Sequence, residues 1–170
     1  MFKIQFKTYS LLYILIIFIF LSFSDLSAED DQNKKILRDI LIKTQEIDYD
    51  IDYLRDLSLA LLQRNVDDIE AFALNVVVLK NMKAFQSNYK TTTIIILYGM
   101  LDSTKKDIAK EIMRSTFEMI LKDLDSAIED FYPLKTYAPE SDNTIKKISR
   151  IIKNYNDIRF HIKNFYTNLN

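Results

Sequence analysis

Asp48, Asp50, Asp52 and Asp56 form the densest run of potential metal ligands in the chain. Alternating carboxylates are what a calcium loop uses, with a glycine after the third acid and a bidentate glutamate at its end. Tyr53 and Leu59 stand in those two places, so the spacing reads as a solvated acidic face. The single histidine, His161, is the side chain best suited to bind haem iron. A haem-binding bundle would also need a methionine on the first helix or a CxxCH attachment. Residues 29–65 contain no methionine and the chain has no cysteine, so His161 reads as a helix-flank residue. No HExxH, GxSxG, Walker or dinucleotide glycine pattern occurs, and one glycine cannot build a phosphate-cradling loop. The residues therefore assign no catalytic, cofactor or metal site, and the expectation is a protein that is not an enzyme.

The chemistry that remains is charge. Residues 143–170 hold six Lys or Arg against one acid. Counted in sevens, Lys146, Arg150, Lys153, Asp157 and Phe160 lie away from the apolar seam of their helix, with Lys147, Arg159 and Lys163 nearby. Lys146, Arg150, Lys153, Phe160 and Lys163 are the candidate partner-binding face, suited to a sulfated polysaccharide, an anionic lipid surface or an acidic protein. Two plainer readings stand beside it. The face is simply solvated, or it pairs with the first helix, where residues 29–65 carry nine acids against six bases. Tyr49 and Tyr53, spaced i, i+4, form either a surface aromatic patch or the edge of a core.

These residues need helices to position them. One glycine and two prolines in 170 residues leave few turns, which predicts long helices and short loops. Residues 31–65 repeat in sevens, with Ile40, Ile47, Leu54 and Leu61 at one position and Leu37, Thr44, Ile51 and Ser58 at its partner. Asp67 or Asp68 is placed to cap a second helix reaching about residue 88, in which Ile69, Phe72, Val76 and Leu79 recur at helical spacing. Residues 91–101, TTTIIILYGML, favour strand by residue type, but one strand without a partner leaves its backbone unpaired. They read as buried helix or extended connector, with Gly99 marking a kink or a close helix contact.

Asp102-Ser103 opens a helix over residues 104–132 that carries Ile108, Ile112, Met119, Leu124, Ala127 and Phe131 broadly on one side. Both prolines fall in residues 133–142, the longest expected loop. The last helix, residues 143–169, repeats Ile148, Tyr155, Ile162 and Leu169 beside Ile151, Ile158 and Phe165. The expectation is an all-α bundle of four to five helices.

Ahead of the bundle, Lys3 and Lys7 precede the apolar run LLYILIIFIFLSF and the small residues around Ala28. This is the secretory signal pattern, and the run is short of the roughly 20 residues that a spanning helix needs. Residues 1–28 are thus expected to be a signal peptide cleaved after Ala28, with a cut after Ser24 as the alternative, and residues 29–170 one exported domain with no stable membrane anchor. A formal net charge of −1 disfavours a nucleic-acid partner, and the absence of cysteine excludes disulfides and cysteine lipidation.

The signal MFKIQFKTYSLLYILIIFIFLSFSDLSA, the abundance of Ile, Lys, Asn and Asp and the short helical remainder are similar to the small exported plasmid-encoded proteins of Borrelia-type spirochaetes, the EppA/BapA group. The missing lipobox cysteine resembles the non-lipoprotein members. The expected function is an exported, non-enzymatic surface or secreted interaction protein meeting a host or extracellular component, a protein or an anionic polysaccharide. The alternative is a periplasmic structural or chaperone-like bundle, with an apolar surplus including Ile94 to Leu97 as client groove or homodimer seam.

Overall fold

The computed structural model describes residues 28–137 and 142–167, and all the elements it forms are helices. They are α1 (Ala28–Arg64), α2 (Ile69–Lys80), α3 (Met82–Gly99), α4 (Ser103–Phe131), α5 (Leu134–Tyr137) and α6 (Asp142–Thr167). The chain divides into two units, Met1–Lys34 and Lys35–Asn170; the helical bundle described below is the second. The expected signal peptide and Leu169 lie outside the described residues.

The two heptad helices bury the faces that their spacing predicts. Leu37, Ile40, Thr44, Ile47, Leu54 and Ser58 of α1 are buried, as are Ile148, Ile151, Tyr155, Ile158, Ile162 and Phe165 of α6. Between elements, α4 packs against both α3 and α6. Its inward residues Met113, Phe117, Ile120, Leu124, Ala127, Ile128 and Phe131 complete the core. An aromatic cluster joins three helices: Phe165 meets Phe117 edge-on at 5.8 Å and Tyr98 at 6.1 Å between ring centres.

Residues 91–98 are helical, and the side chains explain why. Thr91 and Thr92 are buried, and their hydroxyls donate to the carbonyls of Ser87 and Asn88 one turn back, at 2.9 and 3.0 Å. Each buried hydroxyl is thereby satisfied within the helix, which removes the penalty that would otherwise exclude it from the core. Ser87 Oγ donates to Asp123 at 2.8 Å and ties α3 to α4. Gly99 produces no kink; it is the last residue of α3, and Met100 and Leu101 close the turn onto Leu97 and Tyr98.

Asp68 caps α2 by accepting from the Ala71 amide at 2.9 Å, and Asp102 caps α4 by accepting from Lys105 at 3.0 Å.

Four expectations are corrected. In α2 the stripe Ile69, Phe72, Val76 and Leu79 faces outward, while Ala71, Leu74 and Val78 face the core. This helix also stops at Lys80. The Asn81 amide side chain donates to the Val77 carbonyl at 3.0 Å, competing with the backbone ladder where α2 gives way to α3.

In α4 the first half turns the other way from the expected face: Ile108, Ile112 and Met119 are exposed, and Met113, Phe117 and Ile120 are inside. Both stripes occur at helical spacing in this half, and the larger, aromatic one takes the core. The expected loop over residues 133–142 contains the single helical turn of α5, which buries Leu134.

Phe165→Ala is expected to lower the unfolding free energy by about 3–5 kcal/mol through the cavity it leaves, whereas Ile112→Ala should change it by less than about 0.5 kcal/mol. Urea denaturation of both variants checks which stripe of α4 is inside.

Candidate functional site

The polar residues of α6 fall on two neighbouring lines, and α1 takes up one of them. Going up α1, Asp39 lies 3.8 Å from His161, and Lys43 donates to Asp157 at 2.6 Å. Glu46 accepts from Asn154 at 2.8 Å, Asp50 accepts from Arg150 and Lys147, and Tyr53 accepts from Asn143 at 3.2 Å. Residue numbers rise along α1 as they fall along α6, in steps of three and four. The two helices therefore lie antiparallel and share one continuous polar seam.

Asp50 is the centre of that seam, and it overturns the expected acidic face at one position. Asp48 is half-buried and Asp52 and Asp56 are exposed, but Asp50 is completely buried. Arg150 grips it in a fork, Nε at 2.6 Å from one carboxylate oxygen and a terminal nitrogen at 2.5 Å from the other; Lys147 adds a contact at 3.0 Å. A buried carboxylate survives only with such partners, since isolated charge is too costly to desolvate.

The Asp50 contact also holds the Arg150 pKa above its already high ordinary value. Tyr49 and Tyr53 close the cage: the Lys147 ammonium lies 4.8 and 4.5 Å from their ring centres. The tyrosine pair thus serves a lysine at the core edge.

The candidate face is therefore split. Arg150 belongs to the seam with α1. Lys146, Lys153, Lys163 and Phe160 stay on the outer line, all exposed, and the three lysines form no ion pair among the described residues. Phe160 is 61% exposed and makes an edge contact with His161 at 6.0 Å between ring centres. Arg159 turns toward α4 and pairs with Asp125 at 2.8 Å. Among the described residues no group of three His, Asp or Glu side chains could hold a metal ion. Of the stretch Ile94 to Leu97, only Leu97 is exposed; Ile95 and Ile96 are in the core.

Two ionisable groups under the seam are electrostatically strained. Burial, reinforced by Asp52 and offset by Arg55, raises the Asp48 pKa. The fully buried Tyr155 hydroxyl has no hydrogen-bond partner among the described residues. Burial, with the Asp48 charge behind it, pushes its pKa above the ordinary range.

Comparisons with protein-family models, with curated proteins and with solved structures find no match to this chain. The class its geometry defines is an all-α helical bundle bearing a polar inter-helix seam and, outside it, a line of exposed lysines with no ion pair among the described residues.

Asp50→Ala should cost about 3–5 kcal/mol because it strands the nearly buried Lys147. Arg150→Ala, whose side chain is 47% exposed and which leaves Lys147 on Asp50, should cost only about 1 kcal/mol. Chemical denaturation of the two variants gives the ratio, and equal losses would mean that the guanidinium, not the caged lysine, carries the seam. Asp48→Asn should stabilise the fold at neutral pH. A carboxyl whose folded pKa is raised contributes stability only while protonated, so stability is lost as pH rises through the folded value. The gain from Asp48→Asn should accordingly shrink as pH falls toward the ordinary aspartate range, which thermal melts across that interval would record.

Proposed function

We propose that this is an exported, non-enzymatic interaction protein that meets an anionic extracellular partner through the outer line of α6. The observation that carries the reading is the division of the charges on α6. Lys147, Arg150 and Asp157 are used internally, whereas Lys146, Lys153 and Lys163 are exposed and unpaired beside an exposed Phe160. Uncompensated cations in a line attract an anionic partner, and an exposed aromatic adds apolar contact at low entropic cost. Export is supported by the Lys3/Lys7 start, the apolar run and Ala28. The likeness in size, signal and composition to the exported EppA/BapA group of Borrelia-type spirochaetes points the same way.

The test is retention of the purified protein, expressed from the full chain, on immobilised heparin as a sulfated polysaccharide. Lys146→Glu, Lys153→Glu and Lys163→Glu combined should weaken binding at low salt by at least about tenfold with unchanged helical content. Arg150 is left intact because it belongs to the seam with α1. Retention that ignores the triple reversal would reject the outer line as the binding face. Protein sequencing of the exported product should start at Glu29.

A further inference from the structure

The strongest unexplained feature of the bundle is the outer face of α2. Its sequence, IEAFALNVVVLK, is apolar nearly all round, with Glu70 and Lys80 as its only charges. A soluble helix of that kind is normally covered on both sides. Among the described residues one side only is covered: Ala71, Leu74 and Val78 are in the core, while Ile69 is 80% and Phe72 61% exposed, with Val76 and Leu79 exposed beside them.

We infer that this face is a seam for a second copy of the chain, paired antiparallel across a two-fold axis. The spacing argues for a self-complementary partner. Ile69, Phe72, Val76 and Leu79 are separated by three, four and three residues, which is the apolar spacing of a coiled-coil seam. That order reads the same from either end. An antiparallel two-fold therefore sets Ile69 against Leu79 of the second copy and Phe72 against its Val76, each contact occurring twice.

Charge selects the same orientation. Asp67, Asp68 and Glu70 lie at the start of α2, and Lys80 and Lys83 at its end. Antiparallel pairing places acids beside bases, whereas parallel pairing would place like charges together. Lys80 already reaches Asp130 at 2.8 Å, but its side chain remains 58% exposed.

Together with the exposed Val66, the stripe leaves on the order of 600 Å² of apolar surface, the upper end for a monomer. Complete burial of that surface on two copies would reach at most roughly 1,200 Å² in total, the lower bound for a specific interface. An interface of that size belongs to the weak, reversible class.

The other exposed stripe, Ile108, Ile112 and Met119 on α4, lacks these properties. Ser115 and Thr116 interrupt it, and the ion pairs Lys105–Asp102, Lys110–Asp107 and Arg114–Glu111 flank it on the same helix. Those pairs are well solvated, and no palindromic spacing recurs there.

Sedimentation equilibrium of the purified protein over roughly 1–200 µM, the range in which a minimal interface should half-assemble, is the test. The wild-type chain should pass from monomer to dimer, and Phe72→Glu should weaken that association at least tenfold with unchanged helical content and urea midpoint. The chain has no cysteine, so orientation can be read directly. A mixture of Ile69→Cys and Leu79→Cys proteins should form the mixed disulfide on oxidation, in excess of either self-pair.

Preferred self-pairs would overturn the antiparallel geometry. A wild-type chain that stays monomeric throughout would overturn the seam and leave the stripe to a foreign apolar helix. A dimer indifferent to Phe72→Glu would place the interface elsewhere. The α6 lysine reversals should leave association unchanged, so this inference and the proposed anion-binding face fail separately.

Discussion

A carboxylate with no exposure to solvent must be matched by positive charge held in one place, and Asp50 imposes that demand on the bundle. The apolar seams of α1 and α6 fix their own alignment only weakly. Both repeat mainly aliphatic residues in sevens, broken by Thr44 and Ser58 on α1 and by Tyr155 and Phe165 on α6, so a slip of one heptad still sets several aliphatic side chains against others. The polar seam breaks that degeneracy. Slipped by seven residues in one direction, Asp50 would face Asp157; slipped in the other, Lys43 would face Arg150. Either move strands a buried charge or opposes like charges, and both cost more than the apolar contacts can return. The seam contributes specificity of alignment, while the net stability comes from the apolar core around it.

Fixing α6 against α1 also decides which of its cations face solvent. Arg150 is only four residues from Lys146, and both lie outside the apolar stripe of their own helix. One lies on the flank that α1 approaches and becomes structural, and the other lies one row further round and stays free. A second helix determines this difference, so the pattern of α6 alone could not separate them. Tyr49 and Tyr53 show the same dependence. Their i, i+4 spacing announces an aromatic pair, but what they enclose is a lysine almost a hundred residues away.

Legibility followed the clarity of the apolar pattern. α1 and α6 have one apolar face each, so the periodicity marks most of their core residues, although Ile51 and Leu61 are only half-buried; Asp68 is one of the two residues placed to cap α2, and Asp102 stands at the expected start of α4. α2 and the first half of α4 carry apolar residues on two faces, and spacing cannot choose between them. The choice falls to packing: small Ala71 permits close approach on the inner side of α2, and Phe117 offers the larger burial in α4. By spacing among its neighbours Asp50 reads as one of four solvated acids, yet it sits three residues after Ile47 and four before Leu54, which places it on the buried stripe. That position was the available signal. A charge on a core stripe requires a partner, and the cation-rich last helix was the place to look for it.

The two outward features, an apolar stripe on α2 and a line of lysines on α6, gain from being considered together. Three lysines and one phenylalanine make a weak contact alone, because exposed charge is screened within about 8 Å at physiological salt. Pairing through α2 would present two such lines on one particle. A repetitive polyanion could then engage the second line without a second diffusional encounter, and linked sites of this kind strengthen binding by roughly 10²–10⁴-fold without new contacts. A reversible dimer suits that arrangement. Its assembly would rise with local concentration, as on a crowded polyanionic surface, so that a face too weak to hold one copy could hold two.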